Sequence, residues 1–195
     1  MTEISNMVQK TLSQENTDHQ EAAWIAQAKL DPTAFKPLYE KYFKKIFLFI
    51  LRRVGDSELA GDLTQQVFLK ALSNIRTYED RGFPLSVWLF RIAINQCNEF
   101  FRKSKTNRVV VLTDESVEKV YEEVTADQTL QDWGERLPAI LEELNADELY
   151  IIELRFFEAM AFKDIGAMLG ISETYAKVRT YRILDKMKKL FLEKK

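Results

Sequence analysis

The chain has 195 residues, 46% apolar and 12% aromatic, with a formal net charge of −2, which is enough for one packed domain or two small ones. Apolar runs such as Ile46–Leu51 fall far short of the roughly 20 residues that cross a bilayer, and the opening MTEISNMVQKTLSQENTDHQ lacks the basic start and apolar core of a signal peptide. One cysteine, Cys97, excludes an internal disulfide or a multi-thiolate metal site, so a cytoplasmic protein without membrane insertion is expected.

Six Gly, four Pro and long runs of helix-forming residues predict an all-α fold. Residues 1–20 read as a loose polar tail. Trp24, Ile25 and Ala28 mark a short amphipathic helix, ended by Asp31-Pro32, where Asp can cap and Pro can open the next helix. Phe35, Leu38, Tyr39, Tyr42, Phe43, Ile46, Phe47 and Ile50 then follow the i, i+3, i+4, i+7 rule over a long helix. After Gly55-Asp56-Ser57, the spacing of Leu59, Leu63, Val67, Ala71 and Ile75 predicts a third, with Gln66 and Lys70 on its wet side. TYEDRGFP, Thr77 to Pro84, has the Asp, Gly and Pro of a loop. A fourth helix from Leu85 carries an apolar stripe of Leu85, Trp88, Ile92, Cys97 and Phe100, with Leu89, Ala93 and Gln96 alongside. Its second stripe is polar: Arg91, Asn95, Asn98 and Arg102.

Charge is segregated. Residues 34–108 hold 14 Lys+Arg against 7 Asp+Glu, residues 109–135 one Lys against 8 acids, and residues 173–195 eight bases against three acids. Two basic regions separated by an acidic one suggest polyanion contact at two places. The acidic stretch VVVLTDESVEKVYEEVTADQTLQDW has little steady period and reads as a flexible linker over 109–135 between domains at 21–108 and 136–195.

In the last domain, Ile140, Leu141, Leu144, Leu149, Ile151, Ile152 and Leu154 predict two short helices joined at Asn145-Ala146-Asp147. AFKDIGAMLGISETYAKVRTYRIL then breaks its helical pattern only at Leu169-Gly170-Ile171-Ser172. Gly170 can take positive φ, Ser172 can cap, and Gly166 sits where a close crossing leaves no room for a side chain. This is a helix-turn-helix. Its second helix turns Ala176, Thr180, Ile183, Met187 and Leu190 inward and leaves Glu173, Thr174, Lys177, Val178, Tyr181 and Arg182 outside. Such a helix fits the major groove, where Lys and Arg bind guanine acceptors and Thr or Val meets a thymine methyl.

Taken together, AFKPLYEKYFKKIF, AGDLTQQVFLKA, VWLFRIAINQCNEFFRK and IGAMLGISETYAKVRTYRIL resemble, in order, the region 2 and region 4 motifs of small sigma factors of bacterial RNA polymerase, the extracytoplasmic-function group of the sigma-70 family. The resemblance covers about Ala22 to Arg108 and Leu137 to Leu190. It implies a sigma region 2 helical bundle and a sigma region 4 helix-turn-helix, and partners in core RNA polymerase (β′ clamp coiled coil and β flap), promoter DNA and an anti-sigma factor. The linker would then run through the basic channel of the polymerase near the RNA exit.

Residue by residue, the resemblance assigns Asp62, Gln65, Gln66, Phe68 and Lys70 to polymerase binding, with Gln66 standing where the family usually carries Glu. Tyr78, Arg81, Phe83, Trp88, Arg91, Asn95, Asn98 and Arg102 would recognise and melt the minus 10 element, the loop holding a flipped base. Glu173, Thr174, Lys177, Val178, Arg179, Tyr181 and Arg182 would contact the minus 35 element. Ile94 occupies a commonly basic site, and Ala176 replaces a larger aliphatic residue.

A polymerase-independent helix-turn-helix regulator would account for the C-terminal motif but not for the Trp88 helix or AGDLTQQVF. An enzyme is not expected: the single His19 lies in the tail, and no phosphate-binding glycine loop, nucleophile motif or metal-ligand spacing calls for catalysis or a cofactor.

Overall fold

A computed structural model describes residues 19–104, 112, 114–124 and 130–193. Among these every regular element is helical. Residues 1–18 of the tail expected over 1–20, and Lys105 and Arg108 of the basic stretch, lie outside the described residues. Two compact units emerge: residues 19–50 with Glu58–Glu99, and Leu51–Ser57 with the chain from Phe100 onward.

The first unit is built on α1, covering 19–30, α2 Lys36–Val54, α3 Ser57–Asn74 and α4 Leu85–Ser104, of which the ends of α2 from Leu51 and of α4 from Phe100 belong to the second. His19 is the first described residue of α1, so the helix includes the end of the expected tail. The stop at Asp31-Pro32 is a capped turn in which Asp31 Oδ1 accepts the Thr33 N–H at 2.9 Å. Ile25, Ala28, Leu38, Ile46, Ile50, Leu63, Val67 and Ala71 are buried on the faces that the periodicity of α1 to α3 marked, but Tyr39 of the expected α2 stripe is exposed and Phe49 is buried beside that stripe.

The apolar stripe of α4 needs one correction. Leu85, Leu89, Ala93, Gln96 and Cys97 are buried as expected, but the helix also turns Phe90 and Ile94 into the core while Trp88, Ile92 and Phe100 are only half buried. Burial of Ile94 explains an aliphatic residue at a site where a base would have to leave the core.

The second unit contains α5 Asp114–Val124, α6 Leu130–Glu142, α7 Ala146–Ile152, a π-helical turn Glu153–Phe157, α8 Phe162–Leu169 and α9 Glu173–Glu193. Here the flexible linker expected over 109–135 is overturned in part. Val120, Val124 and Trp133 are buried in one cluster with Leu137, Ile140, Leu141, Ile151, Ile152, Ile183, Leu184, Met187 and Phe191. Trp133 stacks on Phe191 with ring centroids 4.7 Å apart. Glu115, Glu118, Glu122 and Glu123 occupy the outer side of α5, while Val117, Val120, Tyr121 and Val124 form an i, i+3, i+4, i+7 stripe that a count of charges hides. The domain boundary expected at 136 falls within α6, and Pro138 lies inside that helix, where burial of Trp133, Leu137, Ile140 and Leu141 offsets its missing N–H. Residues 105–111, 113 and 125–129 are outside the described set.

The junction at Asn145 is a capping box: its side chain accepts the Glu148 N–H and Glu148 accepts the Asn145 N–H, each at 3.0 Å. Among the described residues no helix is long and apolar enough to cross a membrane.

Candidate nucleic-acid and polymerase interfaces

In the first unit, the end of α3, the turn after it and α4 enclose a recess of about 290 Å³ lined by Lys70, Asn74, Thr77, Tyr78, Trp88, Ile92, Asn95 and Gln96. Apolar rings with a few polar groups suit a small planar ligand. Tyr78 is buried, its ring centroid 5.0 Å from that of Trp88, and the Lys29 ammonium lies 5.7 Å above it. Packing on Trp88 makes Tyr78 part of the recess wall. Burial pushes its phenol up to about 12, with the charges of Asp80 and Glu21 adding to the effect, so it is neutral at working pH.

The loop itself is shaped by Gly82, at φ 76°, whose N–H is accepted by Asp80 Oδ1 at 2.9 Å. Arg81 is exposed and paired with Glu79 at 2.9 Å, and Phe83 is half buried; neither lines the recess. Arg91, Asn95, Asn98 and Arg102 are all exposed along α4, and Asn95 joins that stripe to the recess.

Two residues behind this site were missed in the sequence. Glu21, buried on α1, accepts from the Tyr42 hydroxyl, the Lys41 ammonium and, at 3.2 Å, the N–H of Leu85 at the start of α4. The signal was available: Glu21 falls on the stripe of Ile25 and Ala28, where a carboxylate needs buried partners. The second is Gln96, whose buried amide donates to Gln66 Oε1 at 2.9 Å and accepts from the Lys70 ammonium.

The proposed polymerase-binding set divides accordingly. Asp62 and Gln65 are exposed as expected, and Leu69, which the sequence reading passed over, is 63% exposed on the same side one to two turns on. Gln66 and Lys70 are exposed as well, but their polar ends reach Gln96 on α4. Phe68 is corrected outright: it is 4% exposed, with its ring 4.8 Å from Tyr39, 6.3 Å from Phe43 and 6.5 Å from Phe35, a core position.

In the second unit, Gly170 has φ 70° and ends α8, and Ser172 Oγ accepts the Tyr175 N–H at 3.2 Å to start α9. A Cβ on Gly166 would lie 2.8 Å from the Ile171 carbonyl oxygen and 3.2 Å from the Glu173 nitrogen, so the turn closes over a bare backbone. Ala176 is fully buried beside Thr180, while Glu173, Thr174, Lys177, Val178, Tyr181 and Arg182 are exposed as the sequence predicted. Tyr175, half exposed, joins them. Arg179 does not sit fully on that face: it is about one-third exposed and reaches Asp147 on α7 at 3.4 Å. Lys186 holds Glu148 at 2.7 Å. Burial works against the Glu148 carboxylate, but Lys186 and the Asn145 N–H hold its pKa below the ordinary range. Both pairs brace α9 against α7.

Among the described residues no group of His, Cys, Asp and Glu is placed to hold a metal ion.

Comparison with known proteins matches residues 38–106 to sigma-70 region 2 and residues 140–189 to sigma-70 region 4, together more than half of the chain. The ECF RNA polymerase sigma factor BldN of Streptomyces coelicolor is 29% identical over 159 residues, covering 80% of this chain; the chain spans only 60% of that relative's length. The ECF RNA polymerase sigma factor SigM of Bacillus subtilis is 24% identical over 155 residues, 79% of this chain and 93% of SigM. Two solved structures share the fold. CnrH in complex with the cytosolic domain of CnrY has TM-score 0.59 and 19% identity over 89% of this chain and 97% of its own. RpoE in complex with the anti-sigma factor NepR, from Bartonella quintana, has TM-score 0.56 and 21% identity over 82% and 96%.

Proposed function

The chain is a sigma factor, a member of the sigma-70 family in its extracytoplasmic-function group, and on that premise we propose how its surfaces share the work of initiating transcription with core RNA polymerase. Asp62, Gln65 and Leu69 on α3 dock the β′ clamp, an exposed polar face with one apolar anchor. The recess between α3 and α4 accepts one base unstacked from the minus 10 element, and Arg91, Asn95, Asn98 and Arg102 track the strand being opened. The outer face of α9, with Lys177, Val178, Tyr181 and Arg182 as its reading residues, enters the major groove of the minus 35 element. The second unit also meets the β flap. As with CnrH and RpoE, whose structures contain a protein partner, we assign this chain an anti-sigma factor. It works in the cytoplasm and catalyses no reaction of its own.

The observation that carries this division is the pairing of a polar-and-aromatic recess in one unit with a helix-turn-helix in the other. Neither alone is a promoter reader of high affinity, but polymerase fixes their spacing and raises the effective concentration of the second contact. Permanganate footprinting of open complexes tests it. Lys177→Ala and Arg182→Ala should weaken use of promoters that depend on the upstream element by about 1–3 kcal/mol per lost base contact and leave opening of premelted templates intact. Asn95→Ala should spare duplex binding and slow opening. The reverse pattern would overturn the assignment.

A further inference from the structure

The face of α3 that meets α4 carries Gln66, Lys70 and Asn74 at successive four-residue steps, a row that begins one turn after the exposed Asp62. Two of these residues are tied to a single buried side chain. Gln96, 4% exposed, stands between Gln66 and Lys70 and hydrogen-bonds both. Lys70 in turn lies 3.4 Å from Glu99, and Lys70, Asn74 and Gln96 all line the recess.

Donor and acceptor chemistry fixes the direction of this string. An ammonium only donates, so Gln96 offers Lys70 its Oε1, and its NH₂ donates to Gln66 Oε1 at 2.9 Å. Gln66 must therefore present an acceptor. A buried amide satisfied at both ends has one low-energy orientation, and losing either partner leaves a desolvated polar group. Lys70 is half exposed and on a long, flexible stem; without Gln96 its ammonium keeps only the longer contact to Glu99 at 3.4 Å. Asn74 is restrained similarly, its Nδ2 donating to the Lys70 carbonyl oxygen at 2.7 Å.

We propose that Gln66 and Gln96 are positioning residues for base capture: Gln66 orients the Gln96 amide, and Gln96 holds the Lys70 ammonium at the rim of the recess, where it donates to a carbonyl or ring-nitrogen acceptor of the captured base. Gln66 then does not serve as a polymerase contact. This also accounts for the departure from the family's Glu: an amide accepts from Gln96 without placing a second carboxylate near Lys70 to compete with a base for it. The inference rests on the reading of the recess as a base site.

A double-mutant cycle in full-length protein bound to core polymerase tests it, with opening rate and base preference measured on a promoter panel carrying each of the four bases across the opened element. Gln66→Met and Lys70→Met should each slow opening roughly threefold to tenfold, the range for one lost hydrogen bond, and blunt preference at the same base position. In the Lys70→Met background, Gln66→Met should add nothing, because its effect passes through Lys70. Gln66→Glu, which retains an acceptor, should keep more of the opening rate than Gln66→Met. Core affinity should be unchanged in all of them. Multiplying effects in the double variant, or a loss of core affinity in Gln66→Met, would overturn the inference. If Lys70→Met acts and Gln66→Met does not, the inference fails and the base site stands; if Lys70→Met leaves opening and base preference intact, the base site fails as well.

Discussion

The carboxylate of Glu21, near the start of α1, accepts the main-chain N–H of Leu85, the first residue of α4, at 3.2 Å. The N-terminus of α4 has unpaired N–H groups and a partial positive charge that a carboxylate satisfies. Because the same carboxylate also takes the Tyr42 hydroxyl and the Lys41 ammonium, it pins the helix whose first turns wall the recess to both α1 and α2.

Glu21→Ala should therefore destabilise the protein by about 1.5–3 kcal/mol, the range for hydrogen bonds to a charged group, and Glu21→Gln by less, since an amide can still accept from Leu85. Opening by the Ala variant should slow while duplex binding by α9 is retained. Thermal unfolding together with permanganate reactivity checks this; an unchanged melting temperature in Glu21→Ala would refute the anchoring role.

The two sides of α3 should respond differently to truncation. Leu69→Ala removes an exposed side chain, so folding should survive while core affinity falls by about 1–2 kcal/mol, the cost of a moderate interface anchor. Phe68→Ala opens a cavity in an aromatic cluster and should cost about 3–5 kcal/mol of stability. Circular dichroism melts and a core pull-down separate the outcomes, and undiminished binding by Leu69→Ala would remove this face from the polymerase interface.

Gly166→Ala should destabilise the second unit by about 1–3 kcal/mol, because its Cβ meets main-chain atoms that cannot move without opening the turn. Gly61→Ala is the control. It lies within α3 with nothing inside 4 Å of its Cβ, and should stabilise by about 0.5–1 kcal/mol. Calorimetry checks the signs, and a tolerated Gly166→Ala would show that the turn is looser than its geometry.

Much of this was legible in the sequence, for identifiable reasons. The helices of the first unit and the turn at Gly170 follow local rules of periodicity, capping and positive φ, which the chain obeys. What was hidden depended on partners distant in sequence. The stripe of α5 was masked by its acids and is recognisable only against Trp133 and the core it joins. Phe68 and Lys70 are both on α3, yet only the positions of α2 and α4 decide that one is core and the other faces a recess. Arg179 belongs to the basic run of α9, but Asp147 draws it aside. Trp88 and Ile92 read as core because an apolar residue at helical spacing gives no sign of a recess left open beside it.

The central claim is that this chain directs core polymerase to promoters through two units that act together. Reconstitution with core RNA polymerase on a promoter library, followed by mapping of transcript 5′ ends, tests it most directly. Discrete starts downstream of paired elements should appear only when both the chain and core are present, and the chain alone should occupy the same DNA poorly. Absence of specific starts, or equal promoter occupancy by the chain with and without polymerase, would contradict the account.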